Sequence, residues 1–340
     1  YLFVYETFHD VRLVGAPPEA IGNFGGDTDN WIWPRHTGDF SLFRIYAGKD
    51  NKPAEYSADN VPYKPRKYLN ISVKGLSEGD FTMVMGYPAK TDQYLTSEAL
   101  SMITGKSLPA KIQMRTARLN AIQDVMDRGP AEKLQYTNKH KNISNAWKKW
   151  MGVTRGIDRA KIIEAKKEQE KAFTAWANQT SGNETYRKLL GEISGRYQTY
   201  VPLYLTSDLS TELLNSIESS ALINQFQLKF FTGMDSSDAY RDELRGQLKQ
   251  TGRRFFKTSA LEIDRKVLPV LLKAYEQYVP ANMHPPLYQT IRNTYNGNYA
   301  AYVEYIFNSS LFTDSVRFKK AIRLNDEKLR IRVLNDPLLT

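Results

Sequence analysis

The sequence predicts a β-plus-α protein: a β module over residues 1–96, followed by an all-helical domain over residues 97–340. Two observations carry this reading. Short runs rich in aromatic and branched residues, set between Gly, Pro, Asn and Asp clusters, fill the first part. Past Thr91–Glu98, apolar residues recur at three- and four-residue spacing over long stretches.

The expected strands are Leu2–Tyr5, Phe40–Tyr46, Tyr68–Val73 and Phe81–Met85. Short strands at this spacing belong to a barrel or sandwich. A module of 96 residues with several open edges is hard to stabilise alone, so the rest of its sheet is expected outside this chain. In the helical part, Leu100, Ile103 and Leu108 begin the pattern, interrupted by Gly105 and Pro109. Residues 111–127 follow, stopped by Gly129-Pro130. Ile157–Gln179 reads as a long charged helix, and further helices are expected over 184–200, 208–232, 236–250, 258–278, 285–307 and 314–334. Asp208 and Asp314 stand where N-caps would, and Pro202, Pro280 and Pro337 mark boundaries. No fixed-period repeat supports a solenoid.

A chain of 340 residues favours two domains, and 41% apolar with 25% charged residues is a globular composition. The 21 Tyr, 15 Phe and 5 Trp supply ample area for a core. No apolar run approaches the roughly 18 residues of a membrane span. There is no signal peptide, and the chain starts at Tyr1 rather than Met, as though cut. Cysteine is absent, which excludes disulfides and thiol catalysis but leaves the compartment open. The net charge of +10 is unevenly spread: residues 1–96 carry −2 and residues 97–340 carry +12. Most of the basic residues are mixed with acids, as over Asp158–Lys171, which describes solvated helix faces rather than a nucleic-acid stripe.

The segment most able to carry chemistry is Ile21–Tyr46, IGNFGGDTDNWIWPRHTGDFSLFRIY. Its glycines are followed by no GK[ST], so a phosphate loop is not supported. Asp27 and Asp29 lack the clustered His or further acids of a metal site and read as turn formers; no metal or cofactor is expected. Asp39 stands at the entry to an apolar strand, in Gly38-Asp39-Phe40-Ser41-Leu42-Phe43-Arg44. Chymotrypsin-type barrels hold their triad aspartate in such a setting, where it accepts a hydrogen bond from the base histidine. An Asp before a strand is more often only a turn residue.

Three stretches taken together are more specific: GNFGGDTDNWIWPRHTGDFSLFRIYAGKDNKPA, GYPAKTDQYLTS at Gly86–Ser97, and SNAWKKWMG at Ser144–Gly152. They closely resemble the serine dipeptidyl-peptidases of peptidase family 46, which includes bacterial dipeptidyl-peptidases 7 and 11. The resemblance implies a chymotrypsin-like double β-barrel with a large helical domain inserted as a lid over the active-site cleft. Residues 1–96 would then be part of the trypsin-like catalytic domain and residues 97–340 the regulatory lid. It implies release of dipeptides from the N-terminus of oligopeptides, a homodimer as the full-length enzyme, and a bacterial periplasmic, cell-surface or secreted location. The family's triad aspartate falls on Asp39. The positions holding the substrate's α-amine match Asn30, Trp31 and, on the helical domain, Asn145; Arg35 matches a position near the same pocket. The chemistry is consistent with this, because an ammonium only donates hydrogen bonds, side-chain carbonyls accept them, and an indole face attracts the cation.

Two family elements are missing. No GNSGSP-like nucleophile loop occurs, and His9, His36, His140 and His284 do not match the base motif; His36 reads as structural. The chain is therefore read as starting after the base and ending before the nucleophile, and as inactive alone. The rival from another class is a non-enzymatic basic helical module for an acidic partner or nucleic acid. Its best candidate is Arg253-Arg254-Phe255-Phe256-Lys257. No nucleic-acid partner is expected near physiological salt.

Overall fold

The computed structural model describes residues 2–26, 30–34, 36–83, 92, 94–179, 182, 184–226 and 237–339. The chain divides into two compact units, Tyr1–Gln93 and Tyr94–Thr340. The described residues are mostly helical, with one three-stranded sheet in the first unit, so the fold is β plus α; they form no double barrel.

The sheet is antiparallel, in the order β1 (Asp10–Gly15), β2 (Leu42–Ala47), β3 (Val61–Pro62). Asp10 lies opposite Tyr46 and Leu13 opposite Phe43, with an irregularity between Leu13 and Gly15. A polar lock holds this register. The Asp10 carboxylate, 1% exposed, accepts hydrogen bonds from Arg12 Nε (2.9 Å) and Nη2 (2.8 Å) and from Asn60 Nδ2 (2.9 Å). Arg12 also donates to the Ser57 carbonyl at 2.8 Å and lies 3.8 Å from the Tyr46 ring centre. The Arg12 fork outweighs burial and holds the Asp10 carboxyl down at about 2.

The expected strand at Phe40–Tyr46 is β2, displaced to Leu42–Ala47. Asp10–Gly15 escaped the pattern reading because its inward positions carry Asp10 and half-buried Arg12 rather than apolar residues. Residues 2–5, 68–73 and 81–83 form no strand, and Val84 and Met85 lie outside the described residues. Strand propensity records fit to a half-buried pleated surface, and a strand needs a neighbour for its backbone groups. These runs have none among the described residues, and Leu69 and Val73 stand 91% and 97% exposed.

The second unit begins with α2 (Ser97–Met102), a π-helical turn (Ile103–Ser107) and α3 (Leu108–Met126); the single turn α1 (Glu19–Gly22) belongs to the first unit. Then come α4 (Pro130–Arg159), α5 (Ile162–Gln179), α6 (Glu184–Ser216) and α7 (Ser219–Phe226). The remaining helices are α8 (Asp238–Thr258), α9 (Leu261–Tyr278), α10 (Leu287–Tyr295), α11 (Tyr299–Ser309), α12 (Ser315–Ala321) and α13 (Asp326–Leu334). The main core joins α3, α4, α6, α9 and α11 through Met114, Ile143, Leu209, Ile263 and Val303. A second core joins α7, α8, α12 and α13; there Phe226 meets Phe312 edge to face at 5.7 Å.

Several helix boundaries differ from expectation. Pro202 lies inside α6, because Leu205 and Leu209 are buried just beyond it and packing carries the helix through. Asp208 is therefore mid-helix rather than an N-cap, and accepts from Ser107 Oγ at 2.7 Å and Lys111 Nζ at 3.1 Å. Asp314 does cap α12, accepting from the Arg317 amide at 2.7 Å. Ile157 lies in the last turn of α4 instead of opening a helix, since the chain breaks at Lys161 (φ 50°). Residues 130–156, left unassigned by periodicity, are helical, with Pro130 in the first turn. The stretch 285–307 is split by Asn296 and Gly297, both left-handed, into α10 and α11. The stretch 314–334 is split before Asn325, whose side chain caps α13.

Candidate active site

The connection from β1 to β2 carries the densest motif. Pro18's carbonyl accepts from the Ile21 and Gly22 amides (both 2.9 Å) and so starts the turn of α1. The return path is tied to it twice: Gly38 N donates to the Ile21 carbonyl at 3.0 Å, and Thr37 Oγ1 to the Phe24 carbonyl at 3.0 Å. Gly22 lets these strands of loop approach closely, since a Cβ there would stand 3.2 Å from Pro17 Cγ, a tight contact.

This closure presents Asp39 three residues ahead of β2, on an open depression of about 330 Å³ lined also by Ala16, Pro17, Gly22, Phe40 and Ser41. The side chain is exposed and makes no hydrogen bond or ion pair among the described residues. Its oxygens are thus available to an incoming N–H donor, which is the one service a triad aspartate performs. Asn30 is half-buried in the same loop, and Trp31 is 54% exposed with φ 62°. A bulky residue in the left-handed region is strained, and such strain clusters where a side chain must be aimed. The exposed His36 ring lies edge-on to Phe24, with ring centres 6.2 Å apart. Arg35, Asp27 and Asp29 lie outside the described residues.

Asn145 belongs to the second unit, exposed on α4. Its motif shows a division of labour around the helix. Ser144 is buried, Trp147 Nε1 donates to Thr116 Oγ1 at 2.9 Å, and Trp150 lies under the cations Arg115 (4.2 Å) and Lys111 (4.8 Å). The two tryptophans thereby fix α4 on α3 and leave Asn145 on the outer side. Of the stretch Gly86–Ser97, residues 86–91 and 93 lie outside the described residues. At its end Thr96 caps α2, and Ser97 gives its amide and hydroxyl to Glu170 of α5, each at 2.6 Å.

Sequence reading missed the buried charges of the helical unit. Arg115 forks onto Glu212 at 2.7 and 3.0 Å, and Lys139 pairs with Glu218. Asp264 on α9 caps the start of α7, accepting from the Glu218 amide (2.6 Å), the Ser219 amide (2.9 Å) and the Ser219 hydroxyl (2.7 Å). Burial raises its carboxyl to about 6 in spite of these bonds. Pairs 45 or more residues apart leave no local pattern, so no sequence signal marks them. Among the described residues no helix is long and apolar enough to cross a membrane, and no three His, Cys, Asp or Glu side chains cluster as metal ligands do.

The Peptidase S46 family model matches residues 1–340. An Asp/Glu-specific dipeptidyl-peptidase of Capnocytophaga gingivalis is 36% identical over 339 residues, covering 98% of this chain and 46% of that protein. Dipeptidyl-peptidase 7 of Phocaeicola vulgatus is 36% identical over 335 residues, covering 95% and 45%. The crystal structure of Porphyromonas endodontalis DPP11 in complex with the dipeptide Arg-Glu aligns with a TM-score of 0.70 at 32% identity, covering 98% of this chain and 47% of that one. The chain thus spans about half the length of the curated relatives it matches. With a family model matched from the first residue to the last, the chain belongs to the Peptidase S46 family.

Proposed function

We propose that this chain is part of a serine-type dipeptidyl-peptidase that releases dipeptides from the N-terminus of oligopeptides. The observation that carries this is the family match over the whole chain, joined by relatives named as dipeptidyl-peptidases. In this reading residues 1–96 belong to a trypsin-like barrel completed by the rest of the longer protein, and residues 97–340 are its helical lid.

Asp39 accepts a hydrogen bond from the base histidine, fixes its tautomer and stabilises the imidazolium formed as the serine attacks. Its unengaged carboxylate supports that role. Asn30 and Asn145 offer amide oxygens to the substrate's ammonium, and the exposed Trp31 offers an aromatic wall. Arg35 corresponds, by the family resemblance, to a position near the same pocket. The base and the nucleophile come from parts of the enzyme other than these 340 residues. The full-length enzyme works as a homodimer in the bacterial periplasm or at the cell surface.

Reporter cleavage tests the reading. The 340-residue chain releases no chromophore from a panel of dipeptidyl substrates, whereas the full-length protein does. Turnover by the chain itself, abolished by a serine-directed inhibitor, contradicts the division of the triad.

A further inference from the structure

We infer that the helical unit carries a second binding site, a basic groove between α8 and α12 that takes an acidic peptide segment bearing apolar side chains. The groove has a volume of about 960 Å³, at the upper end of the range for ligand cavities. Arg245, Lys249, Arg253 and Lys257 recur every four residues along α8 and so share one face; Lys319 and Arg323 complete the rim. Among the described residues no carboxylate lines it.

Arg245 is committed to structure, holding Asp326 and donating to the Ile322 and Leu324 carbonyls at 2.7 Å. The other five cations are exposed and have no ion pair among the described residues. Like charges four apart on a helix repel, so an unrelieved row of them weakens α8. One turn earlier on α8, Arg241 is balanced by Asp238 and Asp326. A purely solvated face would be interleaved with acids in that way. Here the uncompensated charge converges on a concave surface, where low-dielectric walls focus its field on an anion.

The floor narrows the ligand class. Phe256, Phe318 and Ile322 lie at the base, Phe318 only 2% exposed and Phe256 half-buried. Of these rings only Phe256 is part-exposed, too few faces for successive bases to stack on, which disfavours a single-stranded nucleic acid. A concave site also suits a flat lipid surface poorly. A peptide alternating carboxylates with apolar side chains matches both parts: the arginines fork onto carboxylates, and the apolar groups reach the floor. The site is independent of the triad reading, because it is built within one unit and uses none of the residues assigned to catalysis.

Fluorescence anisotropy on the full chain tests this with a labelled, N-acetylated peptide alternating Glu and Leu; its blocked terminus excludes capture through a free α-amine. Binding is expected at about 0.1 M salt and loss by about 1 M, where the screening length falls from about 10 Å to about 3 Å. Lys249→Glu/Arg253→Glu and, separately, Lys257→Glu/Arg323→Glu weaken it about tenfold or more. Lys167→Glu/Lys188→Glu, with the same net charge change on α5 and α6, leaves it unchanged. A Glu-Ser peptide binds more weakly than the Glu-Leu peptide. Absence of binding, equal affinity in the groove variants, or an equal loss in the α5/α6 control overturns the proposal. So does tighter binding of an oligonucleotide or of anionic vesicles that the peptide fails to displace.

Discussion

Gly252 of α8 meets the ring of Phe318 so closely that a β-carbon on residue 252 would stand 2.1 Å from Phe318 Cε1. Alanine in a helix interior is ordinarily better than glycine by about 1 kcal/mol. The contact reverses that preference, since the Phe318 ring, 2% exposed, is packed against Phe226, Phe256 and Phe312 and would have to shift against them. Gly252→Ala is expected to lower stability by roughly 1–3 kcal/mol, as overpacking does. Denaturant melts measure it, and adding Phe318→Leu restores part of the loss. An unchanged or raised melting midpoint for Gly252→Ala contradicts this packing.

Asp264 gives the helical unit a pH dependence of defined sign. Its folded carboxyl is raised to about 6 from an ordinary value of 3.8, chiefly by burial. Between those values the folded state binds the proton that the unfolded state has released, so stability falls as pH rises from about 4 to about 6 and is level above that. Asp264→Asn, which stays neutral, removes this component. Melts of the two proteins across pH 4–7 are expected to differ in slope; parallel profiles refute the burial argument.

Much of the architecture was legible locally. The succession of a strand-bearing part and a long helical part is the one the structure has, and Asp314 caps a helix as its position foretold. What failed was decided at a distance. Pro202 and Asp208 look like a boundary and a cap until Leu205, Leu209 and the Asp208–Lys111 pair bury that stretch of α6. Leu69, Ile71 and Val73 look like a strand, but no described neighbour pairs with them. At the candidate site, Asp39, Asn30 and Trp31 are singled out only because a long motif resembles a family. Spacing alone made Asp39 a turn residue and Asn145 an unremarkable surface side chain.

Asn30 is expected to act on the substrate's amine rather than on the chemical step. In the full-length enzyme, Asn30→Ala removes a charge-assisted hydrogen bond of about 1.5–3 kcal/mol, or roughly 10- to 150-fold in kcat/KM on free-amine substrates. Residual cleavage of an N-acetylated analogue, which has no ammonium, stays unchanged. An equal defect on both substrates removes Asn30 from the amine site.

The assignment of Asp39 to the triad is tested most directly by Asp39→Asn in the full-length enzyme, read as turnover alongside thermal stability. The exposed carboxylate contributes no described contact to the fold, so the melting temperature is expected to hold. Reversing the hydrogen-bond polarity at the imidazole is expected to lower turnover by about 10⁴-fold, by analogy with the aspartate-to-asparagine change in the serine-protease triad. The loss falls equally on free-amine and N-acetylated substrates. Near-wild-type turnover with unchanged thermal stability would contradict the account and leave Asp39 a turn residue at the entrance to β2.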